Sequence, residues 1–108
     1  MSAKIKEFDL LLLDSIDEAL LSLGEKARQS IYAYTEKNKH FSKAEIPQNI
    51  ETFQQVLEKI FGIGARFIEI LIMKNLYAKI GRQLDVETNM QLEFVNYVDA
   101  ARKNFAKE

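Results

Sequence analysis

The 108 residues of this chain supply enough material for one hydrophobic core and too little for two. With 47% hydrophobic and 29% charged residues the composition is that of an ordinary globular domain, and the absence of cysteine excludes disulfides, iron–sulfur clusters and thiolate zinc sites. A net charge of −1, with Lys and Glu interspersed, leaves no basic footprint for generic phosphate binding, so nucleic acid is an unexpected partner.

The first seven residues contain no apolar signal core, so the cytoplasm is the expected location. Apolar residues at Ile5, Phe8, Leu12, Ile16, Ala19, Leu20 and Leu23 repeat at helical spacing. They predict a helix over about residues 6–23. Ser15-Ile16-Asp17-Glu18 matches a capping box and offers a second start there. The stripe keeps phase across Ser15, which favours one helix, and Gly24 offers a left-handed stop. The uninterrupted apolar run at 10–13, which no other run exceeds, is far short of the ~20 residues of a membrane span, so no membrane partner is expected.

Glu25–Lys39 reads as a second helix, with Ala27, Ile31 and Tyr34 inside and Lys26, Glu36 and Lys37 outside. Residues 40–50 read as a polar connection holding the single Pro, with Asn49 as N-cap of a third helix. That helix carries a stripe of Phe53, Val56, Leu57, Ile60 and Phe61. A glycine break at 61–65 follows. The fourth helix, over about 65–80, is apolar in nearly every direction after Arg66, with Glu69, Lys74, Asn75 and Lys79 as its polar positions. Such a helix is expected at the centre of a fold. Gly81 stops it, residues 82–89 form a polar turn, and a last helix presents Met90, Phe94, Val98, Ala101 and Phe105 on one face, with Tyr97 beside them. The predicted fold is all-α: a single domain over residues 1–108, with an ordered core at about 5–105, of about five helices around the central one.

Chemistry is sparse. Phe61-Gly62-Ile63-Gly64 imitates a phosphate-binding turn, but a helix precedes it, no third glycine follows at the fingerprint spacing, and no Lys-Ser/Thr is present. His40 is the single histidine and has no partners at ligand spacing, so neither a metal site nor a nucleophilic triad is expected. Asp14, Asp17 and Glu18, and likewise Asp85 and Glu87, read as solvated charge or caps. No catalytic residue and no cofactor is predicted.

Two sets of residues stand out. Arg66, Glu69 and Asn75 lie on the helix expected to be most buried, where an unpaired charge is expensive. They mark either a narrow exposed seam and satisfied inter-helix groups, or a polar pocket or interface. Leu10 and Leu21 lie roughly opposite Leu12 and Ile16 on the first helix. They imply a sandwiched helix or contact with another chain, and a symmetric homodimer is the commoner form of such contact.

The stretch 8–25 (FDLLLLDSIDEALLSLGE), Ser30-Ile31-Tyr32, Glu45-Ile46-Pro47, the corner 61–66 (FGIGAR), 69–77 (EILIMKNLY), 94–98 (FVNYV), Arg102 and Phe105 occur in an order that resembles the archaeal Nitrosopumilus output domain family, fifth type. The resemblance covers about residues 8–105, and the glycine corner with Met73-Lys74-Asn75-Leu76-Tyr77 is its most specific part. It implies an output module of archaeal signalling, with no established activity, ligand or catalytic residue to carry over. A thermophilic archaeal source would suit the absence of Cys and the many Lys and Glu.

The expected function is a non-enzymatic regulatory or protein-interaction domain. A small-ligand sensor with a pocket of at least ~300 Å³ beside Arg66, Glu69 and Asn75 is the alternative. A DNA-binding helix-turn-helix using the corner at Gly24 or at Gly62 and Gly64 is weaker, because the helix after the second corner is too apolar to read a groove.

Overall fold

A computed structural model describes residues 3–80 and 93–106. Gly81, the turn at 82–89 with Asp85 and Glu87, and Met90 lie outside the described residues, as does the side chain of Ile5. Among the described residues all regular structure is helical: α1 (Ala3–Leu21), α2 (Glu25–Lys39), a 3₁₀ helix (Lys43–Asn49), α3 (Ile50–Phe61), a 3₁₀ corner (Gly62–Gly64), α4 (Ala65–Ile80) and α5 (Phe94–Ala106). The radius of gyration is 13.3 Å, against about 13 Å for a compact chain of this length.

α1 runs unbroken through Ser15. The Ser15 hydroxyl donates to the carbonyl of Leu11, one turn back, at 2.8 Å. A hydroxyl bonded inside its own helix does not cap a new one. Phe8, Leu12, Ile16, Ala19 and Leu20 are fully buried on one face. Leu23, predicted on that face, falls beyond the helix end and is 39% exposed. Gly24 turns the chain at φ 110°, and α2 begins at once. α2 ends at His40, which takes the left-handed conformation (φ 64°) while its N–H donates to Glu36 O.

The connection after α2 is less polar than its sequence reads. Phe41, Ile46 and Pro47 are buried in it. Ser42 and Glu45 form a reciprocal capping box that starts the 3₁₀ helix, and proline is tolerated in so short an element. Asn49 does not cap α3: its amide donates back to Glu45 O at 2.9 Å. On α3, Phe53, Val56 and Leu57 enter the core, whereas Ile60 is 40% exposed and Phe61 half-buried, because the corner carries the end of the helix away from its neighbours.

α4 buries Ala65, Ile68, Glu69, Ile72, Met73 and Leu76 against α1, α3 and α5. The expected enclosure is incomplete: Phe67 is 76% exposed, and Lys74 and Ala78 lie on the same open edge. Three neighbouring helices cannot cover a whole circumference. α1 shares the central place, packing most extensively on α4 and also touching α2, α5 and the Lys43–Asn49 helix. α5 closes the core with Phe94, Tyr97, Val98 and Ala101, and Phe105 stacks obliquely on Phe8 with ring centroids 5.7 Å apart.

Candidate functional site

The polar residues of α4 do not converge. At about 100° per residue, Glu69 and Asn75 point about 120° apart around the helix. Glu69 faces α3, almost fully buried, where Gln54 approaches its carboxylate at 3.4 Å and Arg66 at 3.9 Å. Burial pushes the Glu69 carboxyl above its ordinary range, and the nearby charges of Glu58 and Glu93 push the same way against Gln54 and Arg66. Asn75 faces α1 and donates to the carbonyl of Ser15 at 3.2 Å. The seam expected for these residues is therefore a buried carboxylate and an inter-helix bond. A cavity of about 360 Å³ opens elsewhere, between the start of α3 and α5, with Gln48, Glu51, Asp99 and Arg102 in its walls and none of the three α4 residues among them.

Two charge clusters are legible only in three dimensions. Asp17 Oδ1 accepts from Arg28 (2.8 Å), Tyr32 (2.9 Å) and Lys43 (3.1 Å), joining α1 to α2 and the 3₁₀ helix. Burial raises the Asp17 carboxyl, but these three donors outweigh it and hold the group below its usual value. Arg102 on α5 donates to Asp9 (3.1 Å) and to the Pro47 carbonyl (2.9 Å), with its guanidinium 5.3 Å from the Phe8 ring centre. Both clusters tie separate elements together through protein partners, so both read as joints of the fold, although the Arg102 Nε is buried without a partner. The Ser42/Glu45 box was findable from its S-x-x-E spacing. The Asp9–Arg102 pair, 93 residues apart, had no local signal.

The exposed apolar side chains form the remaining candidate. Leu10 is 64% and Leu21 48% exposed, as their position opposite the α1 stripe implies. α1 and α4 are parallel neighbours, since Ser15 meets Asn75 and, three residues on, Glu18 meets Lys79. The exposed side of α1 carries Glu7, Leu10, Asp14 and Leu21, and the open edge of α4 carries Phe67, Lys74 and Ala78. These spacings of three, four and seven residues keep each set on one side of its own helix. The corner beyond Phe67 adds Ile63, 98% exposed, and Ile60. Gly62, at φ 59°, and Gly64 therefore present an isoleucine where a phosphate loop would present backbone N–H groups to its ligand.

Among the described residues no group of three His, Cys, Asp or Glu is placed to hold a metal ion, and no helix is long and apolar enough to cross a membrane. The chain matches no family model, and comparison with curated proteins and with solved structures gives no match.

Proposed function

We propose that this chain is a non-enzymatic regulatory domain that works by docking the exposed apolar side of α1, at Leu10 and Leu21, onto a protein partner. The observation that carries the reading is the exposure of Leu10 and Leu21 on the side of α1 opposite its buried stripe. Single surface leucines are ordinary; two on the side of a helix opposite its core stripe are what contact with another chain would cover. A role as an archaeal signalling output domain belongs to the same proposal, and its support is the sequence likeness centred on the glycine corner and on residues 73–77.

A photo-crosslinking residue placed at position 10 or 21, with position 33 on the exposed side of α2 as control, tests the docking face in extract of the source cells. Adducts from positions 10 and 21 and none from 33 are the expected result. Equal labelling from all three positions, or none from any, would overturn the reading.

A further inference from the structure

A second surface, separate from the exposed side of α1, lies along the open edge of α4. Its extent follows from the contacts that close the rest of the helix. Asn75 and Lys79 meet α1, Glu69 faces Gln54 of α3, and the Met73 carbonyl accepts from Tyr97 of α5 at 3.5 Å. At about 100° per residue these contacts take roughly half of the circumference. Phe67, Lys74 and Ala78, all exposed, fall within about 40° of one another on the half that is left, with the partly buried Ile70 and Leu71 on either flank. Because α1 and α4 run parallel, this edge and the Leu10 side turn the same way from the contact between them, and so lie on opposite sides of the pair.

We infer that this edge is covered by a second copy of the chain, related by a two-fold axis that crosses α4 between Ile70 and Leu71, so that the two α4 helices pack antiparallel. Lys74 is the single charge on the edge, and it discriminates between the possible axes. An axis along α4 keeps every residue at its own height and sets Lys74 against the partner's Lys74, which is costly. The crosswise axis reverses the heights. It brings the partner's Phe67 to the height of Lys74, and two-fold symmetry makes that contact twice. A cation over an aromatic face is attractive, the more so when apolar neighbours exclude water. Lys43 already sits over Tyr32 in this way within the fold, 5.2 Å from the ring centre. Size is matched as well. The small Ala78 reaches the corner end of the partner's α4, where Ile63 is 98% exposed, while Ile70 and Leu71 each meet their own copy beside the axis. The edge thus supplies its own complement in charge and shape. A net charge of −1 per chain opposes the association very little.

The test uses the whole chain in sedimentation-velocity runs at tens of micromolar, where wild type is expected to be a dimer. Phe67→Lys opposes two lysines at each of the two symmetric contacts and should weaken the dimer by about tenfold or more. Adding Lys74→Glu to that variant opposes base and acid at both contacts. It should restore most of the affinity, which then falls with added salt. Both positions are exposed, so circular dichroism of each variant should match wild type. The chain has no cysteine, which makes Leu71→Cys a clean probe of the axis. Mild oxidation should convert that variant to a covalent dimer, and should not do so for Ala33→Cys on the exposed side of α2.

A monomeric wild type overturns the inference. So does a dimer that withstands Phe67→Lys, or one that the added Lys74→Glu fails to restore. A dimer whose Leu71→Cys form does not crosslink would refute the axis. Leu10→Asp and Leu21→Asp, on the other side of the helix pair, should leave the dimer unchanged. Loss of the dimer in those two variants alone would place self-pairing on α1 and refute the α4 interface.

Discussion

Glu69 is the residue at which the interior departs most from apolar packing. Its carboxylate is 3% exposed, with a single long contact to Gln54 and a distant one to Arg66. Removing a charge from water with so little compensation destabilises the folded state. The sign follows from proton linkage. An acid whose folded pKa is raised binds more protons folded than unfolded, so stability falls as pH rises from the ordinary value of 4.5 through the raised one. Glu69→Gln should therefore raise Tm at about pH 7, with the gain shrinking to nothing near pH 4. Thermal melts of both proteins across that range check it; a gain equal at both ends would mean that the charge is not the cause. Asp17 is the opposite case. Its donors stabilise the charged form, so its contribution is complete above the ordinary value of 3.8 and is lost as pH falls through the lowered one. The sequence set Glu69 apart on the most apolar helix but read Asp17 as solvated charge or a cap. Their difference comes from which helix happens to lie opposite.

At the scale of elements, the corner between α3 and α4 shows how little sequence a sharp turn requires. Gly62 sits at φ 59° and ψ −131°, a backbone conformation nearly restricted to glycine, while a Cβ built there would meet nothing within 4 Å. Gly62→Ala should therefore destabilise by about 1–3 kcal/mol through backbone strain without any clash. Chemical denaturation would measure it, and a loss below about 0.5 kcal/mol would show that the corner relaxes. Helix existence was readable throughout because apolar periodicity and the few glycines are local signals. α2 lies at the predicted bounds Glu25–Lys39. The segment after it was misjudged for the same local reason: Phe41, Ile46 and Pro47 have no helical period among charged neighbours, and they are buried because α1 and α3 approach them.

The molecule as a whole is tied together by Arg102. Its guanidinium bridges Asp9 near the start of α1 and the carbonyl of Pro47 before α3, so one side chain on α5 links both ends of the chain and its middle. The planar fork, seated over Phe8, allows these bonds at once, and a lysine ammonium lacks that geometry. Arg102→Lys should cost about 1–2 kcal/mol of stability, loss of a charge-assisted bond being of that size. Urea unfolding provides the measurement. A neutral result would imply that the Nε atom, buried without a partner, offsets what the other nitrogens contribute.

The amino-acid sequence alone determined the helical class, the positions of the breaks at Gly24 and Gly62, the buried stripes of α1 and α3, and the outward placement of Leu10 and Leu21. Each depends on neighbours within one or two turns, where spacing and glycine chemistry suffice. Tertiary structure decided that Glu69 is buried, that Asp17 and Arg102 are joints, and that the apolar helix α4 keeps an open edge at Phe67. Those outcomes depend on which elements meet and on how far three neighbours can wrap one helix, and neither is written in any single stretch of chain.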